Sequence, residues 1–127
     1  MDITKIEPQF GETDLLRHIH YASVMNWFEH ARTKLYGIFC PDYNPDNWCL
    51  VMAHAECDYF QENLLGFTVE IHTRVERVGN SSVTLVQECR QRGVLTAKGK
   101  CVLVHIDPKT KRPRPLTPEL KAALERY

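Results

Sequence analysis

One helix-length stretch followed by four long alternating stretches restricts the fold of this chain more than anything else in its sequence. Between His20 and Phe39, Ala22, Met25, Phe28, Ala31, Leu35 and Ile38 recur every three or four residues, and Tyr21, Val24 and Trp27 widen the stripe. That spacing predicts an amphipathic helix, stopped by Gly37 and Pro41. About 19 residues at 1.5 Å each make a rod of roughly 28 Å. A stripe this wide belongs to a helix largely enclosed by other structure.

From residue 49 the period becomes two. Residues 49–60, 67–76, 83–90 and 94–107 read as strands, separated by turns at Gln61–Gly66, at Gly79-Asn80-Ser81-Ser82 and at Arg92-Gly93. In the first run, Cys49, Val51, Ala53, Ala55, Cys57 and Tyr59 share one face, and Leu50, Met52, His54, Glu56, Asp58 and Phe60 the other. A short strand is predicted over residues 3–11, a polar turn from Glu12 to His20, and a loop over Pro41–Asn47. A last short helix should run to Arg126, with Thr117 as N-cap and Pro118 at its first position. Long strands that follow one another through short turns pair antiparallel. The economical solution is α+β: an antiparallel sheet of about five strands wrapped around one long helix. A length of 127 residues fits a single domain over residues 1–127, and such a chain buries about two-thirds of its unfolded surface.

Charge and cysteine usage narrow the class. Formal net charge is zero, which speaks against a general nucleic-acid binder. The zero hides an asymmetry: residues 1–73 hold 4 Lys/Arg against 11 Asp/Glu, and residues 74–127 hold 12 against 5. The second half is therefore suited to an anionic ligand, although a solvated basic sheet face gives the same count. The run Lys109–Arg114 reads as a solvated linker. The five cysteines are odd in number, lack a CxxC pair and sit mostly in apolar runs; they read as buried free thiols in a reducing compartment. Asp14, His18 and His20 share one short segment, but there is no HExxH and no zinc-finger spacing; no metal and no cofactor are expected. No apolar run approaches ~18 residues. The first residues lack a basic-then-apolar signal, so no membrane association and a cytoplasmic location are expected.

The segment Glu12-Thr13-Asp14-Leu15-Leu16-Arg17-His18-Ile19-His20-Tyr21 leads straight into the helix, which contains Phe28-Glu29-His30-Ala31-Arg32. Together these resemble the hotdog-fold acyl-CoA thioesterases of the 4-hydroxybenzoyl-CoA thioesterase type, whose pattern runs T-D-x-x-G-H-V-N-N and then F-E-x-A-R. The turn Val78-Gly79-Asn80-Ser81-Ser82-Val83 and the ending Val104-His105-Ile106-Asp107 are similar to the same family. Arg17 stands where the family carries glycine, and His20-Tyr21 where it carries Asn-Asn. The resemblance implies a hotdog fold and an acyl-CoA substrate. It also implies a homodimer or homotetramer with ligand between subunits, and Asp14 as the catalytic carboxylate.

In isolation, an Asp ahead of a helix is a cap or turn residue; the flanking resemblance gives Asp14 its catalytic reading, as general base or nucleophile. Thioester hydrolysis also needs donors for the oxyanion, and backbone N–H groups near His20 and Tyr21 at the helix N-terminus are candidates. His18 or His20 would orient Asp14 or a water, and Tyr21 would line the pocket; packing and local hydrogen bonding are the plain alternatives. Ser81, Ser82, Arg77 and Arg90 are candidates for holding coenzyme A, through hydroxyls and bidentate phosphate contacts. Glu29 reads as an ion-pair partner for Arg32. Two other functions stay open: a non-catalytic acyl-CoA or acyl-carrier binding protein, and a dehydratase using His18 or His54.

Overall fold

A computed structural model describes residues 1–16 and 18–127. The elements in chain order are β1 (Asp2–Ile6), α1 (Tyr21–Ala31), α2 (Thr33–Phe39), β2 (Leu50–Tyr59), β3 (Val69–Val78), β4 (Ser82–Gln91), β5 (Val94–His105) and α3 (Pro118–Glu125). The strands form one antiparallel sheet in the order β1-β3-β4-β5-β2. The predicted α+β architecture is observed: α1 packs its buried side, Val24, Trp27, Phe28 and Ala31, against Val69, Ile71, Cys89 and Ala97 of the sheet.

The expected long helix is present as two consecutive pieces. Arg32 joins them with φ −82° and ψ −7°, and its N–H reaches the carbonyls of both Phe28 (3.2 Å) and Glu29 (3.0 Å). The hitch therefore costs little hydrogen bonding. The Arg32 side chain leaves the helix for the sheet, where its Nη1 donates to Gln87 Oε1 at 2.9 Å. Gln87 in turn donates to Phe28 O (2.9 Å) and Thr73 Oγ1 (3.1 Å), so a buried polar chain ties helix to sheet.

Strand β1 stops at Ile6 rather than continuing to Gly11. Pro8 has no N–H to give a ladder, and Phe10–Glu12 wind into a 3-10 turn in which Gln9 N–H donates to Glu12 Oε1 at 2.7 Å. Strand β2 also departs from strict alternation. Its register against β5 shifts between Met52 and His54, leaving Ala53 as the extra residue of a bulge. Leu50 and Met52 lie opposite His105 and Leu103, whereas beyond the bulge Ala55, Cys57 and Tyr59 lie opposite Cys101, Gly99 and Ala97. Val51, expected on the face of Cys57 and Tyr59, is on the other one.

The turn signals hold. Arg92 (φ 55°) and Gly93 (φ 77°) make the two-residue β4–β5 turn, with both residues in the left-handed region that such hairpins require. Gly99, inside β5, is needed for a different reason: a Cβ there would stand 2.6 Å from Phe28 Cε2. The missing side chain lets the Phe28 ring settle onto the sheet.

A second apolar cluster lies at the other end, where Leu35, Leu50, Val83, Leu85, Cys101 and Leu103 meet Leu116 and Leu124 from the C-terminal segment. Thr117 caps α3 as expected, its hydroxyl accepting from Leu120 N–H at 3.2 Å. Residues 109–114 are exposed, but the segment is more than a linker. Arg114 N–H donates to His105 O (3.0 Å) and Leu116 N–H to Asn80 O (2.8 Å), so it returns as a strap over the sheet end. All five cysteines are free and four are buried; burial pushes the Cys89 thiol up to about 11. Among the described residues, no helix is long and apolar enough to cross a membrane.

Candidate functional site

The segment before α1 folds back on itself. Thr13 bridges Ile19, and Asp14 N–H donates to His18 O at 2.8 Å. The loop is then pinned to the segment after β2, through a His18–Leu64 bridge and a bond from Ile19 N–H to the carbonyl of buried Asn63 at 3.0 Å. Gln91 anchors that segment to β4 by taking Leu64 N–H and donating to the carbonyls of Leu64 and Phe67.

Asp14 sits at the mouth of this loop. Its Oδ1 accepts from Leu16 N–H (2.9 Å) and His18 N–H (3.2 Å), which fixes the carboxylate plane and leaves Oδ2 without a partner among the described residues. The side chain is exposed, yet it borders a crevice of about 320 Å³ lined also by His18, Ile19, Tyr21, Tyr59 and Asn63. Arg17, at the family's glycine position, lies outside the described residues.

The start of α1 faces the same crevice. His20 is its N-cap, with Nδ1 accepting from Ala22 N–H at 3.1 Å. His20 N–H is spent on Glu12 O at 2.7 Å, and Ser23 N–H on His20 O. Of the two expected oxyanion donors, His20 N–H is therefore occupied. Tyr21 N–H, at a position with no intrahelical acceptor, bonds no described residue. The His20 ring stacks on Tyr21 (4.4 Å between centroids, 28°) and forms no hydrogen bond to the Asp14 carboxylate. His18 Nδ1 lies 2.8 Å from Glu62 Oε2, close enough for an ion pair but out of line for a hydrogen bond.

Four residues that sequence reasoning did not single out complete the site. Glu12 accepts from Trp27 Nε1 at 2.8 Å and, with its carbonyl on His20, locks loop to helix. Tyr59 donates to Tyr21 O at 3.1 Å, and burial pushes its phenol up to about 12, so it is a neutral donor. Glu62 and Asn63 come from the turn after β2. Glu12 opens the quoted motif and was legible there; the other three are brought in only by tertiary folding.

The expected coenzyme A residues are not gathered in one protomer. Ser81, Ser82 and Arg77 lie at the β3–β4 turn, where Ser81 O accepts from His105 N–H and Arg77 pairs opposite Thr84. Asp14 is pinned near Gln91, at the far end of β4, roughly 30 Å away at about 3.3 Å per residue. Arg90 is near the Asp14 end but on the outer sheet face, 3.1 Å from Glu88. The expected Glu29–Arg32 ion pair does not form: Arg32 bonds Tyr36 Oη and Gln87 instead. Among the described residues, no group of three His, Cys, Asp or Glu side chains converges as metal ligands would.

A sequence profile of the thioesterase-like superfamily matches residues 8–124. The chain belongs to that superfamily. This hotdog-fold thioester hydrolase is 28% identical over 116 residues to a 1,4-dihydroxy-2-naphthoyl-CoA hydrolase of Prochlorococcus marinus (strain NATL2A), covering 82% of this chain and 74% of the relative. Its fold matches that of a predicted thioesterase from Bacillus stearothermophilus with TM-score 0.94 at 35% identity, over 98% and 93% of the two chains. It also matches a Thermus thermophilus thioesterase complexed with coenzyme A and Zn, with TM-score 0.86 at 28% identity, over 96% and 95%.

Proposed function

We propose that this thioesterase hydrolyses an acyl-CoA, with Asp14 as the catalytic carboxylate and the Tyr21 N–H as an oxyanion donor. The observation that carries the reading is the position of Asp14: a carboxylate with one oxygen fixed by two backbone N–H groups and the other without a partner among the described residues, on the crevice that α1 points into. As general base, Oδ2 takes a proton from water while the hydroxide oxygen adds to the thioester carbon. The oxyanion collects at the positive end of α1. The tetrahedral intermediate then collapses, the C–S bond breaks, and the thiolate leaves with the proton returned by Asp14. As nucleophile, the same oxygen adds to the thioester carbon, the C–S bond breaks as the CoA thiolate leaves, and water opens the resulting mixed anhydride to release the acid and restore the Asp14 carboxylate.

The reading includes a homodimer. Strand β2 is a sheet edge ten residues long, exposed along both faces from Val51 to Glu56, and such an edge is a template for another strand. Antiparallel pairing of β2 with a second copy sets the Tyr59 end of one protomer beside the Leu50 end of the other. Val51, Val104 and Ser82 lie in one row across the sheet. Ser81, Ser82 and Arg77 of the second copy then stand on the Asp14 side, which accounts for their separation from Asp14 within one chain.

The test is thiol release from a panel of acyl-CoAs by wild type and Asp14→Asn. The panel includes 1,4-dihydroxy-2-naphthoyl-CoA, after the Prochlorococcus relative. Wild type turns over at least one substrate, and the variant loses about 10²–10⁴-fold in kcat/KM, the usual worth of a positioned acid–base group. Equal rates would remove Asp14 from the mechanism. Tight binding without turnover by wild type would favour a binding protein over an enzyme.

A further inference from the structure

Tyr59 is the last residue of β2, and it reaches across to the first residue of α1. Its hydroxyl donates to Tyr21 O at 3.1 Å. Its ring meets the Tyr21 ring edge-on, with centroids 6.2 Å apart at 84°. Among the described residues, this is the one hydrogen bond that runs from β2 to α1.

What the bond grips is specific. Tyr21 stands between two peptide groups that carry four polar ends. His20 O accepts from Ser23 N–H at 2.9 Å, Ala22 N–H donates to His20 Nδ1 at 3.1 Å, and Tyr21 O accepts from the Tyr59 hydroxyl. The fourth end is Tyr21 N–H, which bonds no described residue. The second peptide group is therefore held at both ends and the first at one, so the remaining N–H has a set direction. Other forces do not supply that aim. Val24 is buried and fixes the depth of the first turn, but apolar packing is non-directional. Tyr21 itself is 66% exposed, and the ends of helices fray.

We propose that Tyr59 is a positioning residue of the hydrolase: its hydroxyl holds the first turn of α1 in the orientation at which Tyr21 N–H meets the oxyanion. This rests on the reading of Tyr21 N–H as oxyanion donor. Tyr59 acts through Tyr21 and exchanges no proton with the substrate. An oxyanion donor contributes only when it is aimed at the place where charge develops, and a small misplacement forfeits much of the rate. One hydroxyl that matters little to the fold therefore matters a great deal to the reaction.

The test variant is Tyr59→Phe, which keeps the ring and removes only the hydroxyl. Steady-state kinetics use the acyl-CoA that wild type hydrolyses fastest. The variant lowers kcat about tenfold to a hundredfold with KM within about twofold, because the interaction lost is one made in the transition state. Amide hydrogen exchange is read in both proteins without substrate. Met25, whose N–H closes the first helical bond onto Tyr21 O, exchanges several-fold faster in the variant, while residues 28–31 of α1 exchange as in wild type. A loss of fold stability alone would leave kcat of the folded protein unchanged, and an unchanged kcat overturns the proposal. A raised KM at constant kcat also overturns it, by making Tyr59 a wall of the crevice. So does unchanged exchange at Met25, by putting the hydroxyl on the substrate itself. Absence of turnover by wild type defeats the hydrolase reading and this proposal with it, whereas turnover by wild type with equal kcat in Tyr59→Phe defeats this proposal alone.

Discussion

The two ends of the helical arm are held in place by different forces. At the Tyr21 end, backbone and side-chain hydrogen bonds do the holding: Glu12 to Trp27 and His20, Asp14 to Leu16 and His18, Asn63 to Ile19. Ile19, Val24 and Trp27 are buried beneath, but the large apolar groups at the surface of the loop and helix start stay outside, with Phe10, Leu15, Leu16 and Tyr21 all exposed. At the α2 end the reverse applies: Leu35, Leu85 and Leu124 are fully buried, and a strap and a helix close the cluster. Apolar packing is non-directional and strong per residue. Hydrogen bonds contribute less each but fix angles. The loop that carries Asp14 is held by the directional force, and the far end of the core by the other.

Substitutions can break that contrast. The largest stability loss is expected from Leu85→Ala: removing a fully buried Leu costs about 2–5 kcal/mol. Urea unfolding should show it, with kcat of the remaining folded protein near wild type. A smaller loss is expected from Glu12→Gln. It weakens the bonds to Trp27 Nε1 and Gln9 N–H, by about 1–3 kcal/mol on the scale of charged hydrogen bonds. Here activity should fall more than stability, which separates the aiming end from the packing end; equal falls in both would erase the distinction.

The smallest effect is a pH dependence at the strap. His105 is buried, accepts from Arg114 Nε through Nε2 at 3.4 Å, and its Nδ1 faces the carbonyls of Arg114 and Pro115. Burial, with the Arg114 charge beside it, holds its pKa below the ordinary 6.5. A lowered folded pKa means that the unfolded chain binds the proton first. The contribution is intact above about pH 6.5, declines as pH falls below it, and levels off below the folded value. Denaturant midpoints between pH 5 and 8 should show that decline, and His105→Gln should flatten it.

Much of this was legible in the residues. The period change at residue 49, the Arg92-Gly93 hairpin and the Thr117 cap each depend on local chemistry, and each appears where local chemistry puts it. Asp14 stood out in the sequence because its neighbours form a contiguous motif, and the structure sets it on a crevice. What could not be read is non-local. The Ala53 bulge flips a face without any signature in an alternating run. Arg32 prefers Gln87, 55 residues away, to Glu29 one turn back. Tyr59, Glu62 and Asn63 share a crevice with Asp14 only because β2 ends beside the loop before α1.

At Gly99, the absent methyl beneath Phe28 sets how low the helix rides on the sheet, and Phe28 is seven residues, about 10 Å of rise, from Tyr21. The helix acts there as a lever with its fulcrum at a hydrogen atom. The direction in which its N-terminus faces the Asp14 crevice is thereby set in the middle of β5, by a residue outside that crevice.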